Sequence, residues 1–369
     1  MTTEYLKLTE SQAQTVHPGA ARRAKFANAA LEVRMFNVGQ GEAILITFPN
    51  RRAWLVDGGS SASDQNNQKL GQLLAAHLQS NTLKLEALVP SHPHKDHVGA
   101  VATLLQARPL MTNPLTIYRS ADATWDPSTG WIGDLENELA RLPSPVKKVT
   151  LSNSLTVAPL GDGVEARLFA GSGQGAYTSV FCQVRFHQAR LLFTGDSKCG
   201  YERKLLANFG EDNFRADLLK ITHHGSSSGT ARKLVNAVKP ALAIASTADE
   251  GGHRLERDTL ERVQPAGSLR RVYETGIDGD IILRTDGGAY GGGVLYQVEL
   301  VAPGLFSTEL GATPCRAPRW IPSAAERNTA IAWECELCRL ISHATRSPAT
   351  ARRTRRWCAR CRSGGARTR

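Results

Sequence analysis

The sequence predicts an α+β protein, and three observations carry that prediction. Strand-like runs fill residues 31–56 and dominate again after residue 148. Helix-like runs at Gln68–Leu78 and Val98–Gln106 bracket a buried strand pattern at Leu85–Pro90. Between that strand and the second helix stands Ser91-His92-Pro93-His94-Lys95-Asp96-His97, a segment far richer in ligand atoms than a core requires.

The ligand segment organises the rest of the chain. In an extended segment alternate side chains share a face, so His92 and His94 can grip one ion together. Asp96 and His97 lie where the chain turns into the helix, within reach of a second ion. Imidazole with carboxylate suits Zn²⁺ or Mn²⁺, and carboxylate-rich pairs of ions are typical of two-metal hydrolases. A plain surface loop would rarely gather H-x-H-x-D-H between a strand and a helix.

Four further stretches follow in a fixed order: Phe36-Asn37-Val38-Gly39-Gln40-Gly41-Glu42, Val56-Asp57-Gly58-Gly59, Thr194-Gly195-Asp196 and His223-His224-Gly225-Ser226. With the histidine-rich segment they resemble the metallo-β-lactamase superfamily. Within it they look like the hydrolase domain of ComEC-type DNA-uptake proteins and its free-standing relatives, which include phosphorylcholine esterases. The resemblance covers about Leu31 to Leu300. It implies an αββα metallo-β-lactamase sandwich: two mixed sheets face to face, helices outside, and two divalent metal ions on loops at one edge.

Taken in order, residues 1–30 read as a polar extension with a weak helical pattern. Strands are expected at Leu31–Val38, Glu42–Phe48 and Ala53–Val56, leading into Asp57-Gly58-Gly59. By resemblance Asp57 lies beneath the metal site and orients a histidine ligand; as residues alone, it is a turn aspartate before two glycines. Pro114–Tyr118 is a further strand, and a short helix is expected around Leu135–Leu142. Trp125 and Trp131 either stack on a base or sugar ring or pack under the long loop that holds them. More strands are expected at Lys148–Thr150, Leu155–Ala158, Val164–Phe169, Ser179–Phe186 and Arg190–Phe193. The last runs into Thr194-Gly195-Asp196, where Asp196 is placed to bridge two ions, the alternative being a helix cap.

Ala216–Ile221 should end at the two histidines 223 and 224. One should bind metal and the other face substrate; the resemblance favours His224 as ligand. Ser226–Ser228, preceding a helix pattern at Ala231–Val238, looks like a helix N-terminus whose free N–H groups suit a phosphate oxygen. A strand at Ala241–Ser246 precedes Gly251-Gly252-His253-Arg254, where relatives carry Gly-His-Pro. His253 is thus a substrate-side or proton-transfer candidate, or else an exposed loop histidine. The candidate catalytic groups are Asp96, His223 and His253. The candidate metal ligands are His92, His94, Asp96, His97, Asp196 and His224. No histidine occurs between His97 and His187. Many superfamily members have a third ligand of the first ion in that interval, so the two ions should bind with unequal affinity. Ser179 stands where relatives place an Asn-x-x-Ser segment, and it is expected to line the site.

Charge divides the chain. The net charge is +11, but residues 301–369 hold 13 Arg, no Lys and 4 acidic residues, a net of +9. Residues 1–300 are left with a net of only +2, so attraction to nucleic acid resides mainly in the tail. The tail also holds Cys335, Cys338, Cys358 and Cys361, two CxxC pairs at the spacing of a four-cysteine zinc site. An Arg-only composition with little apolar material suits a disordered segment equally. No apolar run is long enough to span a membrane, and residues 1–30 lack the apolar core of a secretory signal. A cytoplasmic protein with no membrane partner is therefore expected.

Function follows from the ligands. A hydroxide held between two ions is a nucleophile at neutral pH. The expectation is a metal-dependent phosphodiesterase or nuclease, with DNA as a candidate partner. The alternatives are hydrolysis of a small phosphodiester or another ester, or a low-turnover nucleic-acid-binding protein.

Overall fold

The protein's structure, a computed structural model, describes residues 1–17, 30–121, 125–171, 178–248 and 254–301. The chain begins with β1 (Thr2–Thr9), β2 (Gln12–Thr15), β3 (Leu31–Met35), β4 (Gly41–Thr47) and β5 (Arg52–Ser60). Helix α1 (Asp64–Ser80) leads to β6 (Lys84–Val89), α2 (Lys95–Val98), α3 (Val101–Gln106), β7 (Met111–Ser120), α4 (Gly130–Ala140) and β8 (Lys147–Leu151). Next come β9 (Ser154–Gly161), β10 (Val164–Ala170), β11 (Phe181–Phe186), β12 (Ala189–Phe193), α5 (Cys199–Phe209) and β13 (Leu218–Lys220). They are followed by α6 (Arg232–Val238), β14 (Leu242–Ala245), α7 (Arg257–Val263) and β15 (Arg271–Glu274). The described residues close with α8 (Thr275–Asp278), β16 (Asp280–Thr285), β17 (Ala289–Tyr290) and β18 (Gly293–Val301).

Alternation along the strands sorts these elements into layers. Ile44, Ile46, Trp54 and Val56 pack between the sheets with Leu191, Phe193, Leu218 and Ile244. The intervening Ala43, Leu45, Ala53 and Leu55 turn the other way, onto Leu70, Leu74 and Leu78 of α1 and Leu104 of α3. In the second sheet Leu192 and Leu219 likewise meet Leu205 and Leu206 of α5 and Leu234 of α6. Strands buried on both faces read as continuous apolar runs, which is why β6, β12, β13 and β14 stand out in the sequence. Each fully buried Leu or Phe contributes about 1.5–3 kcal/mol. The result is the αββα sandwich of the sequence-based prediction.

The first sheet runs β2-β1-β18-β16-β3-β4-β5-β6-β7-β8, with β17 beside β18, and the second runs β15-β14-β13-β12-β11-β10-β9. Both are mixed. Strands β5 to β8 are mutually parallel, as are β12 to β15. No helix among the described residues is long and apolar enough to cross a membrane.

One expectation is corrected. The described part of the expected extension, residues 1–17, belongs to the fold: β1 pairs along its length with β18, from Thr2 opposite Leu300 to Leu8 opposite Val294. Only Leu6 and Leu8 of β1 are buried and apolar, so the signal was two residues long, and the strand owes its place to a partner nearly 300 positions away. The helix pattern expected at Ala231–Val238 is present as α6, which starts at Arg232. Its approach is occupied: the N–H groups of Thr230 and Ala231 donate to the buried Glu202 carboxylate, at 2.6 and 2.7 Å. Those two N–H groups are thus engaged by a carboxylate from within the fold.

Candidate metal centre

Parallel strands aim their C-terminal ends at one edge, where loops can converge. Asp57 is on the end of β5, Ser91 to His97 follow β6, Asp196 follows β12, His224 follows β13 and Ser246 follows β14. These segments are far apart in sequence, and the two sheets bring them together.

Asp57 is presented by a bulge. Across β4, Ala43 pairs with Gly58 and Ile44 with Val56, so Asp57 has no partner in the ladder. Its φ is +57°, unusual for a non-glycine residue inside a strand. Its carboxylate is buried and accepts twice, from Ser91 N at 2.7 Å and from His97 Nδ1 at 2.9 Å. Two glycines let the loops close over it. A Cβ on Gly59 would stand 2.3 Å from Lys95 O, and Gly195, at φ +54°, would place one 2.5 Å from Ser91 Cβ.

Four potential ligands then meet. Asp96, His97, Asp196 and His224 offer ligand atoms that all lie within 4.8 Å of one another. Asp196 Oδ2 is 3.1 Å from His97 Nε2 and 3.2 Å from His224 Nε2. Asp96 Oδ2 is 3.6 Å from His224 Nε2 and 4.0 Å from His97 Nε2. Hydrogen bonds behind the rings set their tautomers. Asp57 can only accept, so His97 carries its proton on Nδ1. His224 Nδ1 likewise donates to Ser246 O at 3.0 Å. Both Nε2 atoms therefore turn their lone pairs toward carboxylate oxygen, an arrangement that requires a cation or extra protons.

His92 and His94 form a second donor pair beside the first cluster. His92 Nε2 and His94 Nδ1 are 2.9 Å apart, and Ser91 Oγ backs His92 Nδ1 at 3.0 Å. A tetrahedral ion at zinc–nitrogen distance holds two ligand nitrogens about 3.3 Å apart, so a small opening suffices. The His92 and His97 rings are 4.1 Å apart, centroid to centroid, so the two positions adjoin.

The electrostatics match this division. Burial and the neighbouring His97 push His92 well below the usual histidine range, and burial lowers His94, so both offer neutral nitrogen. Burial opposes charge on His97 and His224 too, but Asp196 and its neighbours outweigh it. His97 is held well above its ordinary value, and His224 is raised to about 9. Asp196 is held well below the carboxylate range by His224 and His97 despite its burial. His97 Nε2 and Asp196 Oδ1 are buried and make no hydrogen bond among the described residues. A divalent cation would meet these demands, so the donor set fits a metal ion.

Other expected site residues fall elsewhere. His223 is half-buried, its Nδ1 2.8 Å from Ser228 Oγ and its ring centroid 6.5 Å from that of His224. Ser179 is buried at the site, and its hydroxyl oxygen accepts from Asp196 N at 3.0 Å. Trp131 donates to Pro93 O at 2.9 Å and pins the ligand loop, while Trp125 packs on Arg119 and bonds Ser120 Oγ. Lys95 pairs with Asp64 at 2.6 Å. His253, Cys335, Cys338, Cys358 and Cys361 lie outside the described residues. Sequence reasoning singled out neither Glu42 nor Lys220, both wholly buried beneath the cluster. The available signal was a lysine inside the apolar run Leu218-Leu219-Lys220-Ile221.

Fold and cluster together are those of the metallo-β-lactamase superfamily, with a candidate site for divalent metal ions. Residues 36–249, more than half of the chain, match the Metallo-beta-lactamase superfamily model, and the chain belongs to that family. It is similar to Recombination protein 2 of Haemophilus influenzae, 28% identical over 226 residues, covering 58% of this chain and 24% of that protein. It is also similar to ComE operon protein 3 of Bacillus subtilis, 23% identical over 269 residues, covering 69% of this chain and 33% of that protein. The chain thus spans a third or less of the length of these curated relatives. A solved structure, the metallo-beta-lactamase fold protein YhfI of Bacillus subtilis, aligns with a TM-score of 0.44 at 13% identity, covering 69% of this chain and 99% of that one.

Proposed function

We propose that the chain is a metal-dependent phosphodiesterase. The observation that carries this is the buried Asp196 carboxylate, its Oδ2 shared between His97 and His224 with Asp96 alongside. Asp96, His97, Asp196 and His224 would hold one ion, and His92 with His94 the other, with Asp196 between them. Zn²⁺ and Mn²⁺ both suit such mixed nitrogen and oxygen donors. When bound, these ions lower the pKa of water and neutralise charge building on a phosphoryl oxygen.

The chain's own residues do the rest. Asp57 and Ser246 O hold the His97 and His224 rings in one tautomer and one orientation. Asp96 is the least buried of the four, at the mouth of the cluster. Burial works against its charge, but His97 and His224 keep its carboxyl far below the usual range, which suits a ligand better than a general base. His223, set back on Ser228, is the proton-transfer candidate on the substrate side. Similarity to a protein named for recombination, together with the resemblance of the sequence motifs to the hydrolase domain of DNA-uptake proteins, supports nucleic acid as the polymer substrate. The net charge of only +2 over residues 1–300 favours a small phosphodiester as the second reading.

The test is turnover of a bis-aryl phosphodiester and of single-stranded and duplex DNA by metal-free protein supplied with Mn²⁺ or Zn²⁺. Asp196→Asn should abolish turnover and lower metal content at both positions. Ending the chain at Val301 removes the net +9 of the tail but no candidate ligand in the cluster. Small-substrate turnover should survive, DNA affinity should fall, and any zinc held by the four tail cysteines should be lost. Efficient turnover of nitrocefin, a thioester or a lactone, with no phosphodiester cleaved, would overturn the assignment.

A further inference from the structure

Beneath the ligand cluster, two opposite charges are completely buried. Glu42 comes from β4 of the first sheet and Lys220 from β13 of the second, and they form an ion pair across the space between the sheets. Removing each ion from water costs several kcal/mol, and two apolar side chains of the same volume would fill the space without that penalty. Stability alone therefore gives no reason for the pair.

Its surroundings do. Lys220 Nζ donates to Gly195 O at 3.0 Å and stands 3.7 Å from Asp196 Oδ1. The other oxygen of that carboxylate, Oδ2, is the one facing His97 and His224. Gly195 O also accepts from His223 N at 3.1 Å, so the same carbonyl ties the Asp196 turn to the 223–224 segment. Glu42 in turn has its carboxylate within 4.8 Å of the ligand atoms of Asp57 and His97. One ammonium thus contacts both the turn that delivers Asp196 and the carboxylate itself.

We propose that Lys220, held in place by Glu42, is a positioning residue for the metal centre. It anchors the turn at Gly195 and engages Asp196 Oδ1 from below, which leaves Oδ2 directed at the ligand histidines. This rests on reading the cluster as a metal site and is independent of the substrate.

Charge and position predict opposite outcomes, which makes the inference testable. An ammonium beside a cation site repels the cation, so on charge alone its removal would tighten metal binding. If Lys220 acts by positioning, its removal must weaken binding. The variants are Lys220→Met alone and Lys220→Met with Glu42→Gln; the second leaves no unpaired buried charge. Full-length protein is stripped of metal and titrated with Mn²⁺ or Zn²⁺ against a competing chelator. Native mass spectrometry counts ions on the folded species, and thermal melts of the metal-free forms report stability separately.

We expect both variants to lose about 10–100-fold in affinity for at least one ion, the usual effect of removing a residue that orients a ligand. The double variant should nevertheless melt within a few degrees of the parent. Metal affinity in the double variant equal to or tighter than the parent's would reduce the pair to a structural element and overturn the proposal. Failure of the parent protein to bind any ion would overturn it as well. A parent that binds ions but cleaves no phosphodiester would refute the proposed substrate class and leave this inference standing.

Discussion

Replacing Asp57 with Asn isolates the role of one carboxylate. Asparagine tolerates the left-handed backbone at this position, φ +57°, so the bulge should persist and only the hydrogen bonding change. Asp57 accepts from two donors, Ser91 N and His97 Nδ1, and an amide has one acceptor oxygen. If that oxygen serves His97, the amide NH₂ meets the Ser91 N–H. A buried donor without a partner then costs about 1–3 kcal/mol. If the oxygen serves Ser91, the NH₂ meets His97 Nδ1 and drives the ring proton to Nε2, the nitrogen that should face metal. Either outcome damages the site. The first lowers the stability of the metal-free protein, and the second lowers metal affinity by about 10–100-fold. Chelator competition read alongside a denaturant melt distinguishes them, and nitrogen NMR of the histidine rings reports the tautomer directly. A variant with parental stability, metal affinity and His97 tautomer would refute the role assigned to Asp57.

Two further predictions concern protons and packing. His97 and His224 have folded-state values raised above the usual 6.5, His224 to about 9. In metal-free protein their stabilising charge is therefore complete below about pH 6.5 and is lost as the pH rises, for His224 through about 9. Metal uptake near pH 7 must displace these protons, so affinity should rise about tenfold per pH unit for each proton released. Calorimetry in two buffers of different ionisation enthalpy should count one to two protons, and a count of zero would contradict the charged histidines. Glu202→Ala removes the acceptor of Thr222 Oγ1, Thr230 N and Ala231 N, all in buried surroundings. The cost should be about 3 kcal/mol or more, read as a lower denaturant midpoint. An unchanged midpoint would show that the approach to α6 needs no buried acceptor.

What the sequence determined by itself was local or repetitive. Strands such as β6 and β12 are apolar on both faces, so their burial is visible without a partner. The ligand segment 91–97 is a chemical pattern within seven consecutive residues, and the order of the other motifs placed the remaining candidates. What only the tertiary structure decided depends on groups distant in sequence. The strand β1 exists because β18 offers it a ladder. His224 faces Asp196 while His223 turns to Ser228, a choice made by the backbone at two adjacent residues of positive φ and by the carbonyl of Ser246. Glu42 and Lys220 are 178 positions apart and read separately as ordinary charged residues; two sheets closing on each other bury them together. Periodicity reports which way a side chain points along its own element. A buried charge acquires its meaning only from the groups that replace the water it has lost, and in this chain those groups come from the opposite sheet.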